Sequence, residues 1–291
     1  MHLLSRNKWP AVFGLAPALL IYLMFAIIPI LISFYYSLMD WDGFTDMRFV
    51  GLANFQEALS DSIFWQSLKN NLYVVAASVF GQIPIALFFA ILLNRKLKGG
   101  KIFRTLGFMP VVISTVIISL VWGMMYNSRR GLFNHLLELV GLGEWAQNWL
   151  GDPKWAMIAV CITIIWQFVG LYLIIFLAAL QNIPQEIYEA ARIDGASGWK
   201  QTLYITLPMM RNAIAVAVIL CISGSLRTFD LIYVMTSGGP GHSTEVLAMY
   251  MFDQTFSSTR FGYGSALSLF IFFFSLILVY LSTVVLRKKA D

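Results

Sequence analysis

Residues 9–39, WPAVFGLAPALLIYLMFAIIPILISFYYSLM, contain no Asp, Glu, Lys or Arg. A helix rises 1.5 Å per residue, so about 20 residues cross a hydrocarbon core of about 30 Å, and this stretch of 31 is long enough. In that medium an open segment satisfies its backbone only as a helix. Arg6 and Lys8 precede the run as they would in a signal peptide. The run is about twice the usual ~7–15 residue apolar region of such a peptide, so it is expected to stay in place as a first membrane helix.

The composition extends this to the whole chain. Of 291 residues, 59% are hydrophobic and 12% charged, against roughly 45–50% and about 25% in soluble domains. A soluble globular enzyme is excluded, and 23 Phe, 12 Tyr and 9 Trp exclude a disordered chain. The net charge of +5 comes from short basic clusters beside apolar segments, which reads as membrane topology and not as nucleic-acid binding. Cys161 and Cys221 lie inside apolar runs, where a small hydrophobe is the expected role. His2, His135 and His242 lie outside those runs without metal-ligand spacing, and no nucleophile elbow or paired carboxylates are present. No catalytic or metal-binding residue is assigned.

Hydropathy gives six spans, at residues 15–36, 72–93, 106–126, 155–180, 205–226 and 266–286. Pro29, Pro84 and Pro110 fall within or beside them, so local kinks are expected. Counted on alternate sides, 13 Lys and Arg fall with the N-terminus, the second-to-third and fourth-to-fifth connections and the tail, against 6 on the other side. The more basic side is cytoplasmic, which puts both termini inside. In the third-to-fourth connection, Leu132, Leu136, Leu139 and Val140 share a helical face and are followed by Trp145, Trp149 and Trp155. A short helix at the membrane surface or against the bundle fits that pattern.

The fifth span breaks into polar residues before it ends, at Ser223, Gly224, Ser225, Arg227, Thr228 and Asp230. Ionisable groups at membrane depth face a watery path or a partner. Arg227 and Asp230, three residues apart, either pair with each other or line such a path. The fourth span offers Trp166, Gln167, Gly170 and Tyr172, each a packing residue or a ligand, and Gln82 in the second span is a weaker candidate of the same kind.

The longest polar connection inside is residues 181–208, QNIPQEIYEAARIDGASGWKQTLYITLP. Pro184 presets a first helical turn, Glu186 suits the positive end of the helix dipole, and Gly195 is a natural stop, so a short helix over residues 184–194 is expected. Ala190 and Ala191 would let another surface approach closely. A second short helix should follow the Gly195–Gly198 turn and lead to Pro208.

Glu189-Ala190-Ala191, then three residues, Gly195, nine residues and Ile205-Thr206-Leu207-Pro208 match the EAA signature without departure. The chain thereby resembles the permease subunits of bacterial binding-protein-dependent ABC importers. The resemblance implies an all-α integral membrane protein of the type I importer fold, a single permease domain over residues 1–291, in the bacterial cytoplasmic membrane. It makes residues 181–208 the coupling segment that docks on an ATPase, with Glu189, Ala190, Ala191, Asp194, Gly195, Ile205, Leu207 and Pro208 as coupling positions. The chain has no phosphate loop of its own. Its nearest imitation, Gly195 to Thr202, carries Trp199 before the Lys and Gln201 after it, where Gly and Ser or Thr are required. ATP and Mg therefore belong to two partner ATPase subunits, and no cofactor is expected in this chain.

Residues 17–41, Phe49 to Phe55 and Thr236-Ser-Gly-Gly-Pro240-Gly-His-Ser-Thr244-Glu245 extend the resemblance to the sugar-transporting, maltose-type branch. The extra N-terminal helices and large outer domain of the enterobacterial maltose permease have no counterpart here. By that resemblance Ser225 and Thr228 are the leading sugar ligands, with Arg227, Asp230, Trp166, Gln167, Gly170 and Tyr172 along the path. A second permease, expected to be a different chain, and an extracytoplasmic binding protein would complete the importer. A non-sugar importer and a stand-alone secondary transporter using Arg227 and Asp230 are the alternatives.

Overall fold

The computed structural model describes residues 9–94 and 98–288. His2, Arg6, Lys8, Arg95, Lys96 and Lys289 lie outside the described residues. The chain is mostly helical, and its contacts divide it into two compact units, one of residues 1–61 and 251–272, the other of residues 62–250 and 273–291.

In the first unit the expected leading helix is present, as Trp9–Tyr22, a π-helical turn at Leu23–Ile27 and Ile28–Ser37. It leads into a two-residue hairpin, Met39–Asp40 against Arg48–Phe49, and the helix Ala53–Ser60. Buried Asn54 holds the turn by donating its amide to the carbonyls of Ser37 and Met39, each at 2.9 Å. Gly262 lies so close to Met39 that a Cβ there would collide with the Met39 carbonyl. Arg260 forms a bidentate pair with Glu57 at 2.7 Å, and Tyr263 donates to Asp61 at 3.0 Å.

The second unit is built around the 29-residue helix Pro153–Gln181. Its start follows from Asp152-Pro153, where the Asp152 carboxylate accepts the Lys154 N–H at 2.9 Å and the proline needs no donor partner. It packs against Ile83–Leu93 and Gly100–Val112. Lipid is as apolar as leucine, so helices associate there through close packing, which small residues permit. Ala86, Ala90, Ala156 and Ala159 are fully buried. At Gly170 a Cβ would collide with the Gly107 carbonyl oxygen and sit 2.9 Å from the Phe108 Cα. Gly170→Ala should therefore lower the melting temperature of the purified protein by several degrees, whereas Gly123→Ala, with nothing within 4 Å, should not. Equal melting temperatures would refute the close crossing.

Among the described residues, four helices are long and apolar enough to cross a membrane, Phe13–Ser37, Ser62–Leu93, Pro153–Gln181 and Phe261–Val284. The third and fifth expected spans are not single straight helices. Residues 106–126 divide into Gly100–Val112 and Thr115–Met125, bent by 99°, and residues 205–226 divide into Trp199–Met209 and Arg211–Leu226, bent by 67°. Counting each bent pair as one span gives six. The first break follows Pro110, whose ring denies one backbone bond, and falls where Ile113 and Ser114 turn extended. The second falls at Met210, whose side chain is buried in the core of the second unit.

Pro29, Pro84 and Pro208 act through a common device. π-helical turns end at Ile27, Gln82 and Thr206, and Pro29, Pro84 and Pro208 each stand two residues later. Proline has no N–H and its ring crowds the carbonyl four residues back, and the wider π turn shifts the bonding pattern around both defects. The expected kinks at Pro29 and Pro84 take this form.

The surface helix is present as Leu132–Leu139. Leu132, Leu136, Leu139 and Val140 are all exposed, while Asn134 on the other side accepts from Trp149 Nε1 at 2.7 Å and donates to the Gln147 carbonyl at 2.9 Å. The apolar face thus points away from the unit, as it would toward a membrane interface. Cys161 and Cys221 are free and buried, as small hydrophobes would be.

Candidate functional site

The polar break in the fifth span is where its helix stops. Arg211–Leu226 ends at Arg227, Phe229 leaves the helical region, and a new seven-residue helix, Asp230–Thr236, begins. The new helix lies against Thr115–Met125 and the central helix. It leads into the Thr236–Glu245 loop, where Ser237, Gly238, Gly241 and His242 have positive φ. Thr244 accepts or donates at 2.7 Å to Thr236 and donates to Gly239 O at 2.9 Å. Asn70 donates to the carbonyls of His242 and Glu245 at 3.0 and 2.8 Å, and Asn71 accepts the Leu247 N–H at 2.8 Å. Two adjacent asparagines of the second span thus pin the loop to the bundle.

Beneath the break lies a cavity of about 300 Å³. Ser225, Arg227, Thr228, Asp230 and Tyr172 line it, together with Gln82 and Thr115. Five of the eight path residues expected from sequence therefore converge, drawn from the fourth and fifth spans. Ser225 donates to the Cys221 carbonyl at 2.8 Å, which leaves its oxygen as an acceptor. Gln82, on the π turn Ser78–Gln82, joins three helices through long contacts to Ser78 at 3.3 Å, Ile164 O at 3.4 Å and Cys221 Sγ at 3.6 Å. Arg227 and Asp230 form no ion pair with each other, and both are exposed.

The remaining three path residues lie elsewhere. Trp166 packs on Trp122 with ring centroids 5.2 Å apart, on a partly exposed face. Gln167 is buried and donates to Thr115 Oγ1 at 3.0 Å, so it reaches the cavity only through Thr115. Gly170 serves the helix crossing at Gly107. Thr115 was not singled out in the sequence, where a threonine among isoleucines and valines carries no signal.

Residues 181–208 fold as a helical hairpin. Gln185–Ile193 ends in a left-handed Gly195, φ +77°, with Ala196 N–H donating to Ala191 O at 2.8 Å. This is the glycine stop read from the sequence, with the bonding of a Schellman end. Gln201 donates to Ala196 O at 2.8 Å, and Tyr188 and Thr206 share a hydroxyl contact at 3.1 Å, tying the two arms. Ala191 is buried within the hairpin and Ala190 is exposed, so of the two small residues only Ala190 is free to meet another surface. Glu189, Asp194 and Gly195 are exposed beside it, Ile205 and Leu207 are half-buried, and Pro208 follows the π turn. Ile193, Trp199 and Tyr204 are 88%, 74% and 77% exposed.

This fold has counterparts among known proteins. A chain of the crystal structure of a bacterial alginate ABC transporter in complex with alginate pentasaccharide-bound periplasmic protein superposes with a TM-score of 0.85, covering 100% of this chain and 99% of that one at 22% identity. A probable ABC transporter permease protein of Pyrococcus horikoshii is 39% identical, over 91% of each chain. The trehalose/maltose transport system permease protein MalF of Thermococcus litoralis is 38% identical, over 91% of this chain and 90% of its own length. Residues 82–290 match the family described as binding-protein-dependent transport system inner membrane component, a stretch that takes in the cavity, the pinned loop and the hairpin alike. The chain belongs to that family.

Proposed function

We propose that the chain is the permease subunit of an ATP-driven importer and that its cavity passes a sugar or oligosaccharide. The observation that carries this is the convergence of Ser225, Thr228, Tyr172 and Gln82 with unpaired Arg227 and Asp230 around one cavity. Sugars are recognised by hydroxyl, amide and charged partners beside an aromatic ring, and this lining supplies each. At about 300 Å³ the cavity is at the lower end of small-molecule sites, as suits a path completed by a second permease. The trehalose/maltose relative supports the sugar class.

In this reading the whole chain acts as one permease domain with both termini cytoplasmic, each bent pair forming one of six spans. The hairpin at 181–208 docks in a groove of an ATPase, with Ile193, Trp199 and Tyr204 adding apolar contact to Glu189, Ala190, Asp194 and Gly195. ATP binding and hydrolysis in two such subunits drive the permease pair between inward and outward openings, and the chain itself is no enzyme. An extracytoplasmic binding protein delivers the sugar.

Purification from the native membrane should recover an ATPase and a second permease with this chain. Vesicles holding that assembly and the binding protein should accumulate labelled disaccharide only when supplied with ATP. Accumulation driven by an ion gradient without the ATPase would sink this reading in favour of a secondary transporter.

A further inference from the structure

The second unit also holds a larger cavity than the one described above. A groove of about 760 Å³ runs between the helices Ser62–Ala77 and Pro153–Gln181, away from Ser225 and Thr228. Its wall changes character along its length. One end carries Gln66, Asn70, Lys154 and Ser243, and beyond it come Tyr73, Ala76, Ala77, Met157, Ile158, Cys161, Ile162 and Ile165. From Lys154 to Ile165 a helix rises about 16 Å, close to the ~15 Å of half a hydrocarbon core.

The charges at the polar end are placed against the local trend. The outer connections hold ten acidic residues and six basic ones, and two of those six, Lys69 and Lys154, stand at this groove. Lys154 lines it, and the Lys69 ammonium lies 5.8 Å from the centroid of the Tyr73 ring, which also lines it. Neither lysine has an ion-pair partner among the described residues. Asp152 accepts the Lys154 backbone N–H, and Glu245 is paired with His242. Ser243 Oγ, also at this end, is buried without a hydrogen-bond partner.

We propose that this groove is a binding site for an anionic phospholipid, distinct from the sugar path. The phosphate sits between Lys69 and Lys154, Ser243 donates to a headgroup or ester oxygen, and one acyl chain lies along Ile158, Ile162 and Ile165 beside Tyr73. A zwitterionic lipid offers the same chain but cancels the phosphate charge, so the site discriminates by headgroup. The inference requires only that the chain lies in a bilayer.

The test is native mass spectrometry of the delipidated assembly titrated with dioleoyl phosphatidylglycerol or dioleoyl phosphatidylcholine. Wild type should favour the anionic lipid roughly thirtyfold, the scale expected from two lysines near a phosphate. Lys69→Gln with Lys154→Gln should reduce that preference to near unity while phosphatidylcholine binding persists. Ile162→Trp, which fills the groove, should weaken both. A photoreactive residue placed at position 158 in native membranes should form lipid adducts. An unchanged anionic preference in the double variant, or adducts at position 158 to protein and not to lipid, would overturn the assignment.

Discussion

Gly195→Glu is expected to leave the chain inserted and at normal abundance while abolishing sugar uptake and substrate-stimulated ATP hydrolysis. Gly195 has φ +77°, is exposed, and a Cβ there would meet nothing within 4 Å. A side chain at this position therefore costs about 1–2 kcal/mol of backbone strain and disturbs no packing inside the chain. Gly195→Ala carries that strain without bulk or charge, and should retain most activity. The difference between the two variants isolates what a partner surface demands. A misfitting charge at an interface core costs on the order of 2–5 kcal/mol, a loss of affinity of about 30-fold to several thousand-fold. Ile193→Asp should act in the same direction, because it replaces an apolar side chain that is 88% exposed at the hairpin tip. The measurements are pull-down of the ATPase and hydrolysis in membranes with matched amounts of each variant. Binding and stimulation near wild type for both would show that the hairpin is only a loop.

That contrast would not follow from the sequence alone. The spacing from Glu189 to Pro208 marks the segment, and the helix stop at Gly195 is legible because few other residues take a left-handed end. The division of labour between Ala190 and Ala191 is not legible. It depends on how the second arm folds back, and Gln201 reaching the Ala196 carbonyl is a tertiary event. Ile193 went unnoticed because an isoleucine in a short polar helix reads as a core residue until its exposure is known.

The spans show the same boundary between local and tertiary information. Apolar run length depends on composition, so the helices across Phe13–Ser37 and Pro153–Gln181 could be placed early. Hydropathy cannot register direction, so the 99° and 67° bends at Ile113-Ser114 and Met210 were invisible to it. The helix Asp230–Thr236 was missed for a related reason, since seven residues are too few to cross and too apolar to look like a turn. Asn54, Asn70, Asn71 and Asn134 are buried amides to which neither the span pattern nor the motifs assign a role. A polar amide inside an apolar helix must find a partner, and each of these holds a loop. That signal was present in the sequence and can be read in similar chains.

Ser225→Leu and Thr228→Leu should each abolish uptake while the ATPase stays bound, and Trp166→Phe should leave uptake near wild type. All three positions are polar or aromatic interruptions of apolar spans, and the family resemblance already ranks Ser225 and Thr228 ahead of Trp166 along the path. The structure separates them, because Ser225 and Thr228 line the cavity whereas Trp166 packs on Trp122 outside it. Leucine removes a hydroxyl and adds bulk to a cavity of only about 300 Å³. Loss of one hydroxyl contact costs about 0.5–1.5 kcal/mol, or roughly two- to tenfold, so the hydroxyl alone does not account for abolition. Thr228→Val tests that share, since it keeps the shape and should raise the KM for uptake severalfold with little change in maximal rate. Obstruction supplies the rest in the leucine variants, where added carbons displace the sugar or force neighbours from their rotamers. Binding of the ATPase should be unaffected in all four variants, which distinguishes a blocked path from a failure of coupling. Uptake retained in both leucine variants would move the sugar path away from this cavity, and loss in Trp166→Phe would extend it to the Trp122 face.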